Sequence, residues 1–152
     1  MENKKIEIVV EEAKRLIGSP YKYGAYLDEL GVENKVFDCS SFIQSVFAKA
    51  DIKIPRSTIL QAADRQGFEV CGRRNVQAGD LVFFEGERGH YRHDLFPEKK
   101  LYIGHVALFV GGNSIIHATN SNGFSGVIEQ KIFPFENPLY NASTIVLIKR
   151  FF

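Results

Sequence analysis

Apolar residues recur three and four positions apart near the start of the chain. Ile6, Val9, Val10, Ala13, Leu16 and Ile17 fall on one side of a helix that begins about Lys4. Gly18-Ser19-Pro20 ends that pattern with helix-breaking residues. From Tyr21 to Phe37 no period is sustained, and Gly24 and Gly31 punctuate the stretch, which therefore reads as a loop. Phe42, Ile43, Val46, Phe47 and Ala50 mark a second amphipathic helix with its N-terminus near Asp38 and Cys39 and Pro55 beyond its end. Thr58 and Gln61 have the spacing of a capping box, and Ile59, Leu60, Ala62 and Ala63 supply the apolar side of a short third helix.

Beyond Gly67 the pattern changes. Leu81 to Phe84, His105 to Val110, Ser114 to Ala118, Val127 to Lys131 and Thr144 to Arg150 are short runs of β-rich composition. Helices first and strands second favour an α+β fold with an antiparallel sheet over repeating βαβ units, because a hairpin-length connection joins the His105 and His117 strands. Glu85 to Ile103 is polar and charged, and a loop of that length inside a compact domain is commonly functional or mobile. No repeat, low-complexity tract or linker divides residues 1–152, so one domain is expected.

Composition narrows the function classes. A chain of 152 residues can bury roughly 68–70% of its unfolded surface, enough for a core without staples. The 45% hydrophobic and 24% charged fractions are those of a globular protein, and no segment approaches the ~18 apolar residues of a membrane span. A net charge of +1 provides no global field toward nucleic acid or an anionic membrane, so the partner must be sought in a local site. Glu2, Lys4, Lys5, Glu7, Glu11, Glu12, Lys14 and Arg15 interrupt any apolar core of a secretory signal, and the chain as written is expected to be cytoplasmic. Cys39 and Cys71 are too few for a disulfide framework. The thirteen phenylalanines, with no tryptophan, are read as core material.

Asp38-Cys39-Ser40-Ser41 carries the candidate chemistry. A thiol attacks as its thiolate, and a helix N-terminus beside an imidazole stabilises that anion through unpaired N–H groups. With Asp38 as N-cap, the Cys39 amide also points toward the space where a tetrahedral oxyanion would form. His105 and His117 flank a hairpin whose loop length decides whether they share a face. With Gly111, Gly112 and Asn113 as a three-residue loop and Val110 opposite Ser114, Ala107 faces His117 and His105 becomes its diagonal neighbour. Such neighbours stand roughly 7–8 Å apart at the backbone, a gap that two imidazoles can close. A two-residue turn would place the rings on opposite faces. In the shared-face arrangement His105 is the base for Cys39, and His117 holds its tautomer. Alone, each of these residues is more ordinarily a core or surface residue; their joint occurrence carries the reading.

These residues resemble the NlpC family of cell-wall cysteine peptidases, a compact papain-like group, over nearly the whole chain. Pro20-Tyr21-Lys22-Tyr23-Gly24 resembles the family's proline-tyrosine segment, Asp38-Cys39-Ser40 its nucleophile motif, and Ile54-Pro55-Arg56-Ser57 the turn after the catalytic helix. Ala78-Gly79-Asp80-Leu81-Val82-Phe83-Phe84 resembles its first core strand, and Gly104 to Phe109 with Ile116-His117-Ala118 its two histidine strands. The resemblance implies helices packed on an antiparallel sheet of five or six strands, a Cys39, His105, His117 triad, and no cofactor. It also implies peptidoglycan-derived peptides as substrate, commonly cut after a γ-linked D-glutamate. By position, Tyr21 would lie beside the nucleophile, while Asp38 and Ser40 would hold the substrate's backbone or free amine. Asp38 acting only as a helix cap is the alternative, and Arg56 is either its partner or a solvated arginine.

Three features depart from the family pattern. Ser41 replaces a glycine after the serine, leaving the backbone less permissive or recruiting the hydroxyl, and Ala25 replaces a second glycine. The Glu85 to Ile103 segment, with His90, Tyr91, His93 and Asp94, is longer than the family needs. No export signal is visible, which points to intracellular recycling of wall peptides, or to release by lysis or a dedicated secretion machine. His90-x-x-His93 with Asp94 and Cys71 offers zinc-ligand types, but without a second ligand pair it reads as a polar surface loop. An acyltransferase, deamidase or transglutaminase would use the same nucleophile and base, and a non-catalytic peptide-binding module could keep the scaffold. The assembly state is left open.

Overall fold

The computed structural model describes residues 2–24, 36–85, 94–98, 101–121, 123–132 and 145–152. Helix α1 spans Glu2–Arg15, α2 Cys39–Lys49 and α3 Thr58–Ala63. Strands β1 (Phe68–Glu69), β2 (Leu81–Phe84), β3 (His105–Gly111), β4 (Ser114–Ser121), β5 (Phe124–Lys131) and β6 (Ile145–Arg150) follow. They form one sheet in the order β1-β6-β2-β3-β4-β5 with every neighbouring pair antiparallel. The expected α+β segregation and sheet are therefore present. Helix α1 starts two residues before the periodicity predicts, β4 and β5 extend to meet in a tighter hairpin, and β1 is too short to leave a sequence signal.

The period-2 alternation of the strands divides the core. Leu81, Phe83, Val106, Leu108, Ile116, Ala118, Val127 and Leu147 pack against Val9, Ala13, Phe42, Ile43, Val46 and Phe47 of the helices. Val82, Phe84, Ala107, Phe109, Ile115 and Ile148 form a second cluster from the alternate positions. The positions of His105 and His117 share the parity of the second cluster. Their strands are held between others on both sides, so the hairpin is an internal part of the sheet.

Helix α2 begins where Asp38 caps it. The Asp38 carboxylate accepts from the Ser41 amide at 2.8 Å and the Ser41 hydroxyl accepts from the Asp38 amide at 3.0 Å, closing a reciprocal box. The departure at Ser41 is thereby explained: its hydroxyl is recruited to the cap and fully buried. Helix α3 corrects the sequence reading, because Ser57, not Thr58, is its N-cap, accepting from the Leu60 amide at 3.3 Å. Gln61 donates instead to the carbonyls of Ser40 (3.0 Å) and Pro55 (2.8 Å), tying α3 to the start of α2.

The β3–β4 hairpin departs from expectation in a way that leaves its consequence intact. Gly111, not Val110, pairs with Ser114, and the turn is the two residues Gly112 and Asn113, at φ +59° and +61°. Two consecutive left-handed residues are the requirement of a type I′ turn. A bulge between Phe109 and Gly111 adds back the residue that the shorter turn removes, so Phe109 pairs with Ile115 and Leu108 with Ile116. The parity of the expected register survives, and both imidazoles remain on one side of the sheet.

Candidate active site

Cys39 is the first residue of α2 and half-buried against the helical core. Its Sγ stands 3.4 Å from the Thr58 hydroxyl, and the Val106 backbone, next to His105, favours its ionised form. Val106 is the second residue of β3. His105 Nε2 lies 2.7 Å from His117 Nδ1, with the rings edge to face at 5.0 Å between centroids. His117 is fully buried, and its Nε2 lies 3.0 Å from Oε1 of Gln130 on β5. The Phe84 ring, 5.9 Å from that of His105, walls the pair on the β2 side.

Burial sets the charge state of these groups. It pushes the Cys39 thiol above its ordinary range, opposed by hydrogen bonding to Thr58 and to the Val106 backbone and reinforced by the Asp38 carboxylate. Burial, with the neighbouring His117, holds His105 well below the usual imidazole range. His117 is pushed down to about 4 by burial, against the opposing hydrogen bond to Gln130. At neutral pH these shifts leave the thiol and both imidazoles uncharged at rest. A neutral thiol and a neutral imidazole brought into contact can exchange a proton as the sulfur attacks, without holding a charge at rest.

The other candidates form a second cluster around the start of α2. Asp38 pairs with Arg56 at 2.7 Å, and Arg56 also donates to the Ser40 hydroxyl at 2.7 Å. Asp38 further accepts from the Gly24 amide at 3.1 Å and the Ser40 hydroxyl at 3.3 Å. With Ser41, four donors occupy a carboxylate that has about four acceptor sites. Of the two readings of Asp38, the cap is visible, and Arg56 is its partner rather than a solvated arginine. Tyr21 is half-buried and bridges to Phe37, directly before Asp38, where the Lys22 amide donates to the Phe37 carbonyl at 2.9 Å.

Cys71 is exposed and unbridged. Ala25, His90, Tyr91 and His93 lie outside the described residues, among which no group of three or more potential metal ligands occurs. No described helix is long and apolar enough to cross a membrane. Sequence reasoning missed Thr58 and Gln130. A glutamine within a predicted strand, on a face it would share with buried residues, was the available signal for Gln130. Thr58 gave none, since its contact with Cys39 depends on how α3 packs.

Known proteins resemble this chain in sequence and in fold. The chain is 39% identical over 119 residues to a gamma-DL-glutamyl hydrolase of Bacillus subtilis, covering 77% of this chain and 24% of that protein. It is 32% identical over 112 residues to a gamma-D-glutamyl-L-lysine dipeptidyl-peptidase of the same organism, covering 74% of this chain and 31% of that one. The chain therefore spans less than a third of the length of either relative. A crystal structure of an NlpC/P60 family protein from Bacillus cereus superposes with a TM-score of 0.70 at 24% identity, over 96% of this chain and 40% of that chain. A P60 domain from an antigen of M. avium subspecies paratuberculosis gives 0.69 at 22% identity, over 98% and 96%. The family pattern itself matches residues 18–142, and by that extent the chain belongs to the NlpC/P60 family.

Proposed function

We propose that this chain is a cysteine peptidase that hydrolyses short bacterial cell-wall peptides, cutting after a γ-linked D-glutamate. The observation that carries the reading is the 2.7 Å contact between His105 on β3 and His117 on β4, with Cys39 at the first residue of a capped helix. The γ-glutamyl bonds named for the two relatives support the choice of substrate.

His105 takes the thiol proton as the Cys39 sulfur bonds to the scissile carbonyl carbon. The resulting oxyanion lies toward the N-terminus of α2, where the Cys39 amide faces it. Collapse breaks the carbon–nitrogen bond, and the proton held by His105 leaves with the amine. Water then attacks the thioester, giving its proton to His105, and the acid departs as the proton returns to sulfur. His117 keeps His105 oriented throughout and stays neutral. In this reading Tyr21, Asp38 and Ser40 are assigned to the substrate side of the nucleophile, as the family resemblance implies. For Asp38 to take a substrate amine, one of its four present donors must give way.

The test is incubation with defined wall tri- and tetrapeptides plus a free amine acceptor, read by mass spectrometry. Two hydrolytic fragments are expected, with the new carboxylate on D-glutamate. An amine adduct in place of the acid would assign the chain to acyl transfer, and no product from any peptide would leave a binding module. Cys39→Ala should lower turnover on the order of 10⁴-fold or more with the fold intact, whereas Cys71→Ser should leave it unchanged.

A further inference from the structure

A neutral imidazole carries one proton and can place it on either nitrogen. For His105 to accept the thiol proton, the ring nitrogen that is not bonded to His117 must be bare. That nitrogen is Nδ1, because Nε2 makes the 2.7 Å contact. In the neutral ring the proton of His105 must then sit on Nε2 and be donated to His117 Nδ1. His117 must in turn carry its own proton on Nε2. What lies beyond His117 Nε2 therefore decides whether the base can function.

The group there is the Gln130 side-chain carbonyl, 3.0 Å away. Gln130 pairs across the sheet with Ile115, which makes it the diagonal neighbour of His117 on the same face. It is buried at 8% exposure, and its amide nitrogen has no partner among the described residues. A carbonyl oxygen can only accept. It holds the His117 proton on Nε2, leaves Nδ1 as the acceptor, and so directs the His105 proton away from the thiol. The reversed amide would donate to His117 Nε2, push the His117 proton to Nδ1 and place the His105 proton on the nitrogen required as base.

We infer that Gln130 is a positioning residue of the site, whose carbonyl sets the tautomers of both histidines and thereby makes His105 a competent base. The inference rests on the proposed role of His105, and its test separates the two. Nitrogen-15 NMR of the full-length protein at neutral pH reads the ring tautomers without any substrate. Expected are protons on Nε2 of both His117 and His105. A His117 proton on Nδ1 overturns the inference whatever the activity.

The kinetic arm uses Gln130→Leu and Gln130→Glu. The first removes the acceptor and should lower kcat on the order of 10- to 100-fold with KM little changed, by analogy with loss of the outer hydrogen-bond partner of a metal-ligating histidine. The second keeps an acceptor, so it should preserve both tautomers and recover most of the rate, while raising the pH at which His117 titrates. Equal rates for Gln130→Leu and the parent, in a preparation that Cys39→Ala inactivates, would overturn the positioning role and leave the nucleophile in place. Full activity of Cys39→Ala would instead remove the enzymatic reading, with the tautomer measurement still deciding what Gln130 does. Should Gln130→Leu not fold, the glutamate variant and the parent spectrum carry the test.

Discussion

Replacing His117 by a side chain that does not titrate should flatten the acid side of the protein's stability curve. His117 is fully buried, and burial lowers it from an ordinary imidazole value of 6.5 to about 4. The unfolded chain takes up a proton at this residue near pH 6.5, whereas the folded chain does so only near pH 4. Between those values the unfolded state binds more protons, so stability rises with pH and falls on acidification. At about 1.4 kcal/mol per pH unit, the full depression is worth about 3 kcal/mol. Because no part of the ring is exposed, solvent screening does not reduce that figure.

The measurement is urea unfolding at intervals from pH 7.5 to about 4, for the parent and His117→Gln. The variant will differ in absolute stability, since it loses ring packing and the contact to His105. The informative quantity is the pH dependence of the difference between the two curves. The parent should lose at least about 3 kcal/mol more than the variant over the window, since remote titrating groups cancel and His105, relieved of its charged neighbour, is depressed less in the variant. Parallel curves would mean that His117 titrates alike in folded and unfolded chains, and the neutral resting pair would be wrong.

The same burial argument reaches the nucleophile. Since Cys39 is pushed up and His105 well down, no thiolate should be present at rest near pH 7. The difference in thiolate ultraviolet absorbance between the parent and Cys39→Ser should appear only under alkaline conditions, and absorbance titrating below neutrality would refute a neutral thiol. Thr58→Val removes a hydrogen bond that offsets burial of the sulfur. Alkylation of Cys39 at fixed pH should slow by about fivefold, the equivalent of ~1 kcal/mol, with Thr58→Ser close to the parent, and an unchanged rate in the valine variant would count against the contact. Gly126→Ala should destabilise the protein by about 1–3 kcal/mol, because φ is +121° there and a Cβ would stand 2.7 Å from the Ser19 carbonyl oxygen. Thermal unfolding at the parent temperature would show that the Gly18–Ser19 segment is not fixed against β5.

Most of the fold was legible because local signals agree with the tertiary structure. The 3.6-residue periods of α1 and α2 and the β-rich runs of β2 to β6 each bury the side that the pattern marks as apolar. The pairing of His105 with His117 was legible through the parity of one hairpin, although the local geometry differs: a bulge after Phe109 and a type I′ turn replace the three-residue loop. Sequence parity counts residues and cannot distinguish one extra residue in the turn from one in the strand. The α3 cap was misassigned because Ser57 and Thr58 are both capping residues, and only the position of Leu60 decides between them. Asp38 was ambiguous for a related reason. Capping and anchoring require the same carboxylate, and the four donors around it come from three separated stretches of chain.

The outermost member of the site escaped the sequence for a reason that also explains why it is needed. A carboxylate behind a catalytic imidazole only accepts, so it directs the proton by its chemistry alone. A histidine in that place accepts or donates with equal ease, and a neutral His117 does not by itself tell His105 which nitrogen to protonate. Choosing a neutral orienting group avoids a buried negative charge beside a thiol that burial and Asp38 already hold above its ordinary range. It also transfers the choice of direction to the next hydrogen-bonding group along. In this sheet that group is on β5, one strand beyond the histidine hairpin and two beyond the strand that carries His105. On the proposed mechanism the proton path from Cys39 is specified across three adjacent strands, and its direction depends on which end of a single buried amide faces His117.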